Sequence, residues 1–156
     1  MAHLNEQIPI PMSLAAGWNC ITDLSRFHEW LTIHQKWNGR IPARSELVTG
    51  LEVSSVIRLR GAPVSFDWRL VEIEHEHKAK LSGKGRGGIK AEMTLSVAAQ
   101  DGHNILDVDI DLSGLAMSGP AGKLTVKVLR SDIQDSLAAF KRVFADADDA
   151  YAAGAL

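Results

Sequence analysis

Hydrophobic and polar residues alternate along much of the chain between residues 51 and 112. The alternation is clearest over residues 106–112, where four aliphatic residues are separated by three aspartates. A period of two places apolar side chains on one face of a strand and polar side chains on the other. Because these strands follow one another without helices between them, the pattern predicts an antiparallel sheet with one solvated face.

Turn signals divide this region into separate strands. Gly61-Ala62-Pro63 separates two of them, and Asp101-Gly102 marks the turn before the last strand. The apolar phase slips by one residue at Leu70-Val71, which predicts a β-bulge that helps the sheet to curve. Further strands are expected over residues 3–11, 78–83 and 89–97. The first of these contains two prolines, so it should lie at a sheet edge.

The last third of the chain has the spacing of a helix instead. From Leu129 to Phe144, apolar residues recur at steps of four, four, three and four. This spacing predicts one long amphipathic helix over residues 120–147, with Pro120 in its first turn. Its apolar stripe should pack against the apolar face of the sheet.

The remaining segments are shorter. Two short helices are expected over residues 13–19 and 23–32, and residues 33–50 carry turn signals that predict a loop packed through its aromatic side chains. Residues 148–156 are rich in alanine and glycine, so this tail is expected to fray. The predicted order is therefore a strand, two short helices, a run of strands and one long helix.

Composition narrows the class of protein. With 156 residues, of which 46% are hydrophobic and 23% charged, the chain fits one folded domain over residues 1–156. Its net charge of −2 lacks the basic balance of a nucleic-acid-binding module, so no nucleic-acid partner is expected. The single cysteine, Cys20, cannot form an internal disulfide. No membrane-spanning stretch and no secretory signal are visible, so a cytoplasmic location is expected.

Aromatic and histidine residues cluster between positions 28 and 37. The cluster comprises His28, Trp30, His34 and Trp37. Such residues suit the mouth of an apolar pocket, because an indole offers apolar area with one N–H and an imidazole can donate, accept or titrate. The alternative is that the tryptophans pack in the core and the histidines lie at the surface. The four tryptophans of the chain favour a pocket walled by flat rings.

Strand phase adds further wall candidates. Phe66 and Trp68 share the apolar phase of one strand, and Met93 lies on the apolar phase of another. Methionine suits an adaptable wall, although a plain core position is the alternative for each of these side chains. The sequence therefore predicts an apolar ligand pocket between sheet and helix, with the following wall residues: Trp30, His34, Trp37, Phe66, Trp68, Met93 and Phe140.

Two groups of residues have side chains that can bind a metal ion. His75 and His77 could place two imidazoles on one strand face, but no third ligand can be named, so a solvated hairpin is favoured. Asp107, Asp109 and Asp111 repeat at about 6.8 Å along a strand, which is too far for one ion without loop closure. No metal and no cofactor is therefore expected.

Residues 83–88 match the G-x-G-x-x-G pattern of dinucleotide-binding loops. Such a loop must lead into a helix whose N-terminus meets the pyrophosphate, whereas here a strand pattern follows. A flexible turn beside the pocket is the better interpretation, with Lys84 and Arg86 available to an anionic ligand head. Cys20 has no evident base beside it, and residues 28–32 lack the last histidine of H-E-x-x-H, so neither supports an enzyme.

Residues 21–30, Ile-Thr-Asp-Leu-Ser-Arg-Phe-His-Glu-Trp, and the connection over 114–122 resemble the START-like, helix-grip superfamily. This resemblance spans nearly the whole chain and implies an α+β fold in which a curved antiparallel sheet wraps around a long C-terminal helix. Residues 31–39, Leu-Thr-Ile-His-Gln-Lys-Trp-Asn-Gly, are similar to a bacterial subgroup whose members are labelled polyketide cyclase/dehydrase or toxins of toxin–antitoxin pairs. Residues 74–78 lack the proline of that subgroup's turn, so this hairpin should differ in shape.

Three functions fit these observations. The first is the binding or carrying of a small apolar or amphipathic molecule, whose head would be oriented by His34 with Arg58 or Arg86. The second, implied by the resemblance, is a cyclase/dehydratase-type enzyme, for which His34 is the best single candidate as acid or base. The third is a toxin-like interaction protein with an exposed apolar patch. A homodimer through a sheet edge, or another protein partner, is compatible with each.

Overall fold

The structure is a computed structural model that describes residues 2–114 and 117–154. The strands within those ranges are β1 (Ala2–Ile10), β2 (His34–Asn38), β3 (Glu52–Leu59), β4 (Ala62–Glu74), β5 (Lys78–Gly85), β6 (Lys90–Gln100) and β7 (His103–Ser113). They form one sheet in the order β1-β7-β6-β5-β4-β3-β2, and every neighbouring pair is antiparallel. β1 therefore lies at a sheet edge, as its prolines predict.

The helices in the same ranges lie before and after the run of strands. They are α1 (Leu14–Ile21), α2 (Phe27–Trp30), α3 (Gly119–Val143) and α4 (Ala147–Ala152). The apolar stripe of α3 joins the inner face of the sheet in one buried core. The predicted α+β helix-grip fold, with a curled sheet and a long C-terminal helix, is therefore confirmed. No helix in the described ranges is long and apolar enough to cross a bilayer.

The predicted β-bulge is present in β4. The pairing of β4 with β5 shifts between Leu70 and Glu72, which leaves Val71 39% exposed. Trp68 and Leu70 face the core before the bulge, and Ile73 continues the inward phase after it. The extra residue lets the strand bend while its apolar side chains stay on the concave face.

The prediction of a loop over residues 33–50 is wrong at its beginning. Residues 34–38 form β2, in which His34 pairs with Ile57 and Trp37 pairs with Ser55. The local pattern of this segment is mostly polar, so the strand is specified by its hydrogen bonds to β3 and not by its own periodicity. A 3₁₀ turn at Arg44–Glu46 follows in the rest of the segment.

The long helix and the tail also differ from expectation. α3 ends at Val143 and not at residue 147, and residues 148–152 belong to α4 although fraying was expected there. α4 is held to the start of α1, because the Asp148 carboxylate accepts a hydrogen bond from the Ser13 backbone N–H at 2.8 Å. Ala147 beside it is 3% exposed. Long-range contact of this kind cannot be inferred from an alanine-rich composition.

Candidate ligand-binding cavity

An apolar cavity of about 80 Å³ lies between the inner face of the sheet and the helices. Inner-face residues of β2 to β7 form one wall, α1, α2 and the segments that follow them form the other, and α3 contributes Leu129. Cavities that hold drug-sized ligands measure about 300–1,000 Å³. A cavity of about 150 Å³ holds benzene, so a ligand with one or two aromatic rings enters this cavity only when its walls move.

The described cavity lining contains no Asp, Glu, Lys or Arg. Most of its polar atoms already have partners inside the protein. The Thr22 hydroxyl donates to the backbone oxygen of Trp18 at 2.7 Å. The indole N–H of Trp68 donates to the Ser55 hydroxyl oxygen at 2.9 Å, in a fully buried position. The wall is consequently apolar over almost all of its area.

His34 is the titratable residue of this described wall, and it joins the indole N–H of Trp18 and the hydroxyl hydrogen of Ser55 as lining groups without a hydrogen-bond partner among the described residues. It is 9% exposed, and its ring lies 4.7 Å from that of Trp37 and 5.9 Å, edge to face, from that of Phe27. The indole N–H of Trp37 is occupied by the backbone oxygen of Leu24 at 2.8 Å. Within residues 2–114 and 117–154, no hydrogen-bond partner reaches the His34 ring nitrogens. One imidazole thus remains available to a ligand.

The protonation state of His34 follows from this environment. Burial lowers the pKa of His34 to about 4, and the charge of nearby His28 acts in the same direction. The imidazole is therefore neutral at neutral pH. In that form one ring nitrogen donates a hydrogen bond and the other accepts one. His34 can accordingly form a hydrogen bond with a hydroxyl group or with a carbonyl group of a ligand.

This shift predicts how stability depends on pH. An imidazole in the unfolded chain titrates near 6.5, so between pH 6.5 and about 4 the unfolded chain binds a proton that folded His34 does not. The free energy of unfolding should therefore fall as the pH falls through this window. Replacing His34 with phenylalanine should reduce the loss between pH 7 and pH 4.5 by about 1–3 kcal/mol. Urea unfolding at several pH values measures the free energy of unfolding of both proteins.

The matched control for this prediction is His103→Phe, which changes an exposed histidine on β7. It should follow the pH profile of the unmodified protein. Parallel profiles for the His34→Phe variant and the unmodified protein would show that His34 is not held neutral by burial.

Two glycines on β5 lie against the rings of Trp68 and Phe66. Trp68 stacks on Phe66 at 5.1 Å with an angle of 18° between the rings. Gly83 pairs with Trp68 across the sheet, and Gly85 pairs with Phe66. A Cβ atom at Gly83 would lie 2.5 Å from Trp68 Cε3, and one at Gly85 would lie 2.7 Å from Phe66 Cζ. The glycines are therefore required by the two rings that lie over them.

This geometry corrects the prediction of a flexible turn over residues 83–88. β5 continues to Gly85, and only Arg86–Gly88 form a turn. Lys84, Arg86 and Arg58, expected beside a ligand head, do not line the cavity. The period of two places Lys84 on the outer face, between the inward-facing Gly83 and Gly85.

The predicted wall residues divide into two groups. His34, Trp37, Trp68 and Met93 line the cavity. Trp30 and Phe140 lie outside the lining and pack on each other between α2 and α3, with ring centroids 5.1 Å apart. Phe66, also outside the lining, is completely buried beside Trp68. Contact with a ligand stays a prediction for every residue of the set.

Several lining residues were not predicted. Ser55 lies on the apolar phase of β3 and is 2% exposed, so a lone serine among inward-facing aliphatic residues was the available signal. Leu47 also lines the cavity, although it comes from the segment between β2 and β3. Arg44 ties that segment to α1 through a 3.2 Å hydrogen bond to the Asn19 backbone oxygen. This contact cannot be predicted from the local sequence pattern.

The two groups of possible metal ligands, His75 with His77 and the three aspartates of β7, lie outside the cavity lining. Among the described residues, His75 and His77 join no group of three potential ligands, whereas His3, Asp109 and Asp111 have ligand atoms within 4.8 Å of one another. The Asp109 carboxylate already pairs with His3 Nε2 at 2.9 Å. This hydrogen bond raises the pKa of His3. Aspartates of β7 thus form side-chain hydrogen bonds with polar residues of β1 on the outer face of the sheet.

Comparison with known proteins supports the same fold. Residues 1–145 match a family described as polyketide cyclase / dehydrase and lipid transport. A Mycobacterium tuberculosis protein named Toxin Rv0910 is 34% identical over 145 residues, covering 93% of this chain and 99% of that protein. An uncharacterized protein of the same organism, Rv1546, is 29% identical and covers 92% and 99%. A START superfamily protein from Mycobacterium smegmatis has a TM-score of 0.69 at 13% identity, covering 86% and 93%.

Proposed function

Because the chain belongs to the polyketide cyclase / dehydrase and lipid transport family, we propose that it binds a small, mainly apolar molecule in the cavity. The observation that carries this proposal is a cavity between sheet and helices whose described walls are apolar apart from a few polar atoms. Protein interiors are close-packed, so a core that served only to stabilise the fold would have this space filled by side chains. An apolar ligand restores that packing and leaves water, at about 25 cal/mol per Å² buried.

The shape of the walls favours a flat ligand body. The indoles of Trp18, Trp37 and Trp68 and the thioether of Met93 all border the cavity. The Trp68 ring is fixed by its hydrogen bond to Ser55, so it presents a rigid face. Rigid aromatic walls stack on flat rings with little loss of side-chain entropy.

Titration with naphthalene tests the binding function, with tryptophan fluorescence as the readout. The unmodified protein should bind it with a saturable change in emission, as the cavity walls move apart to admit its two rings. Ala91→Leu fills the cavity from β6 and should weaken binding at least about tenfold, whereas Ala99→Leu, exposed on the same strand, should not. Thermal unfolding checks that both variants fold. Ala79→Leu, which fills the cavity from β5, is a second variant that should weaken binding.

Equal binding by the unmodified protein and the filled variants would place the naphthalene elsewhere. Absence of saturable binding by the unmodified protein would contradict the proposal. Native mass spectrometry of freshly purified protein adds an independent measurement, because a bound natural ligand raises the mass above that of the denatured chain.

A catalytic role is less well supported. A cyclase or dehydratase needs an acid or base whose pKa suits the operating pH. His34 is the imidazole of the described lining, and burial lowers its pKa to about 4, which makes it a weak base. The described lining offers no carboxylate to act with it. These features favour holding a molecule over transforming it.

A toxin-like action is the second candidate, and the relative named Toxin Rv0910 favours it. Induced expression of the chain in a bacterial host tests it directly, with Ala91→Leu and Ala99→Leu as matched variants. Growth arrest that Ala91→Leu abolishes would make the cavity part of the toxic action. Arrest by all three proteins would assign it to the surface, and normal growth would contradict this candidate.

A further inference from the structure

We propose that the cavity selects uncharged ligands that carry one hydroxyl or carbonyl group and discriminates against carboxylates, with His34 as the residue that binds this polar group. This inference rests on the proposed binding function and specifies its ligand class. It follows from three observations: the absence of charge in the described wall, the free imidazole with both a donor and an acceptor, and its place beside the Trp37 ring.

The first step concerns charge. The described lining contains neither Lys nor Arg, and Arg58 and Arg86 lie outside it. A carboxylate that enters such a wall loses its hydration and gains no opposite charge. Burial of the apolar body of an ionised ligand therefore also requires the unfavourable desolvation of its charged head. An uncharged head of the same size carries a much smaller desolvation cost.

The second step concerns hydrogen bonds. Trp37, Trp68 and Thr22 use their side-chain donors within the protein. The indole N–H of Trp18 and the hydroxyl of Ser55 keep a donor, but the Ser55 oxygen already accepts from Trp68 and an indole has no acceptor. The His34 ring has no partner among the described residues, so it offers both a donor and an acceptor. A hydroxyl group can accept from one ring nitrogen or donate to the other, and a carbonyl group accepts from the N–H.

The third step concerns position. Trp37 lies 4.7 Å from the His34 ring, and both side chains belong to β2. A flat body against this wall therefore has its edge near the imidazole. The nearby Phe27 ring meets His34 edge to face and restricts its rotation. A preorganised donor and acceptor on one ring in a largely apolar wall gives orientation as well as affinity.

Three probes with the same ring system separate these effects: naphthalene, 2-naphthol and 2-naphthoate, titrated near neutral pH with tryptophan fluorescence. The unmodified protein should bind 2-naphthol about three- to tenfold more tightly than naphthalene, the gain expected from one hydrogen bond. It should bind 2-naphthoate at least about tenfold more weakly than 2-naphthol. The ratio of affinities, and not any single affinity, is the measured quantity.

Variants at His34 assign the effect to this residue. His34→Phe should bring the ratio between 2-naphthol and naphthalene close to one, because phenylalanine keeps the ring and loses both nitrogens. His34→Gln keeps one donor and one acceptor, so it should retain part of the preference. A preference that survives in His34→Phe would assign the polar contact to another residue.

The two proposals fail in different ways. Binding of 2-naphthoate as tight as that of 2-naphthol would overturn the selectivity while leaving the cavity as a ligand site. Absence of binding by all three probes would overturn the binding function, and the selectivity with it.

Discussion

Replacing Gly83 with alanine should lower the free energy of unfolding by about 1–3 kcal/mol, the usual cost of an overpacked core. In an ordinary strand the same change stabilises, because alanine loses less backbone entropy than glycine. Here the added Cβ would lie 2.5 Å from Trp68 Cε3. The indole cannot turn aside freely, since it donates a hydrogen bond to Ser55 and stacks on Phe66. The clash therefore outweighs the entropic gain.

Urea unfolding of a double-mutant cycle with Trp68→Leu measures this coupling. In the Trp68→Leu background the added methyl group meets no indole, so Gly83→Ala should be neutral or stabilising. Ser82→Ala, one residue away on the outer face, is the matched control in the same strand. A cost for Gly83→Ala that persists without the indole would refute this account. A displaced ring would also enter the cavity, so naphthalene affinity should fall in the single variant.

Replacing Phe140 with alanine should cost about 3–5 kcal/mol, the larger of the two effects. Phe140 is completely buried, and its ring lies 5.1 Å from that of Trp30 and 4.9 Å from that of Phe144. The side chain thus joins α3 to α2, and its loss leaves a cavity that the surrounding helices cannot close. Chemical denaturation measures the change. Leu124→Ala on the exposed side of α3 should change stability by no more than about 0.5 kcal/mol.

The same position distinguishes a core residue from a binding residue. Phe140→Leu keeps most of the buried volume and should preserve naphthalene affinity, because Phe140 does not border the cavity. A large loss of affinity in this folded variant would show that Phe140 contacts the ligand after all, as its helical stripe suggested.

Most of the fold could be predicted from the sequence, because the apolar residues on the inner face of the sheet recur with a period of two. The slip at Leu70 located the bulge before any pairing was known, since a one-residue shift reverses the faces of a strand. β2 could not be found in this way. Its five residues, His34–Asn38, lie at an edge and are mostly polar, so their conformation depends on pairing with β3.

The candidate site was less predictable for a geometric reason. Strand phase places Phe66 and Trp68 on the same face, but only Trp68 borders the cavity. Which inward-facing residue meets a void depends on where packing elements cross that face, and this is a property of the assembled layers. Gly83 and Gly85 did carry a usable signal. Two glycines on the inward phase of one strand indicate bulky side chains on the next.

The pairing of the first strand with the last has a consequence for synthesis of the chain. β1 pairs with β7 from Ala2 opposite Leu112 to Ile10 opposite Asn104. At about 5–20 residues per second, roughly 100 residues of translation keep β1 without its neighbour for the order of 5–20 s. Contacts this distant in sequence also slow folding. Because α3 follows β7 in the chain, the nascent sheet exposes its apolar face until α3 has been synthesised, and this interval is when chaperones would be needed.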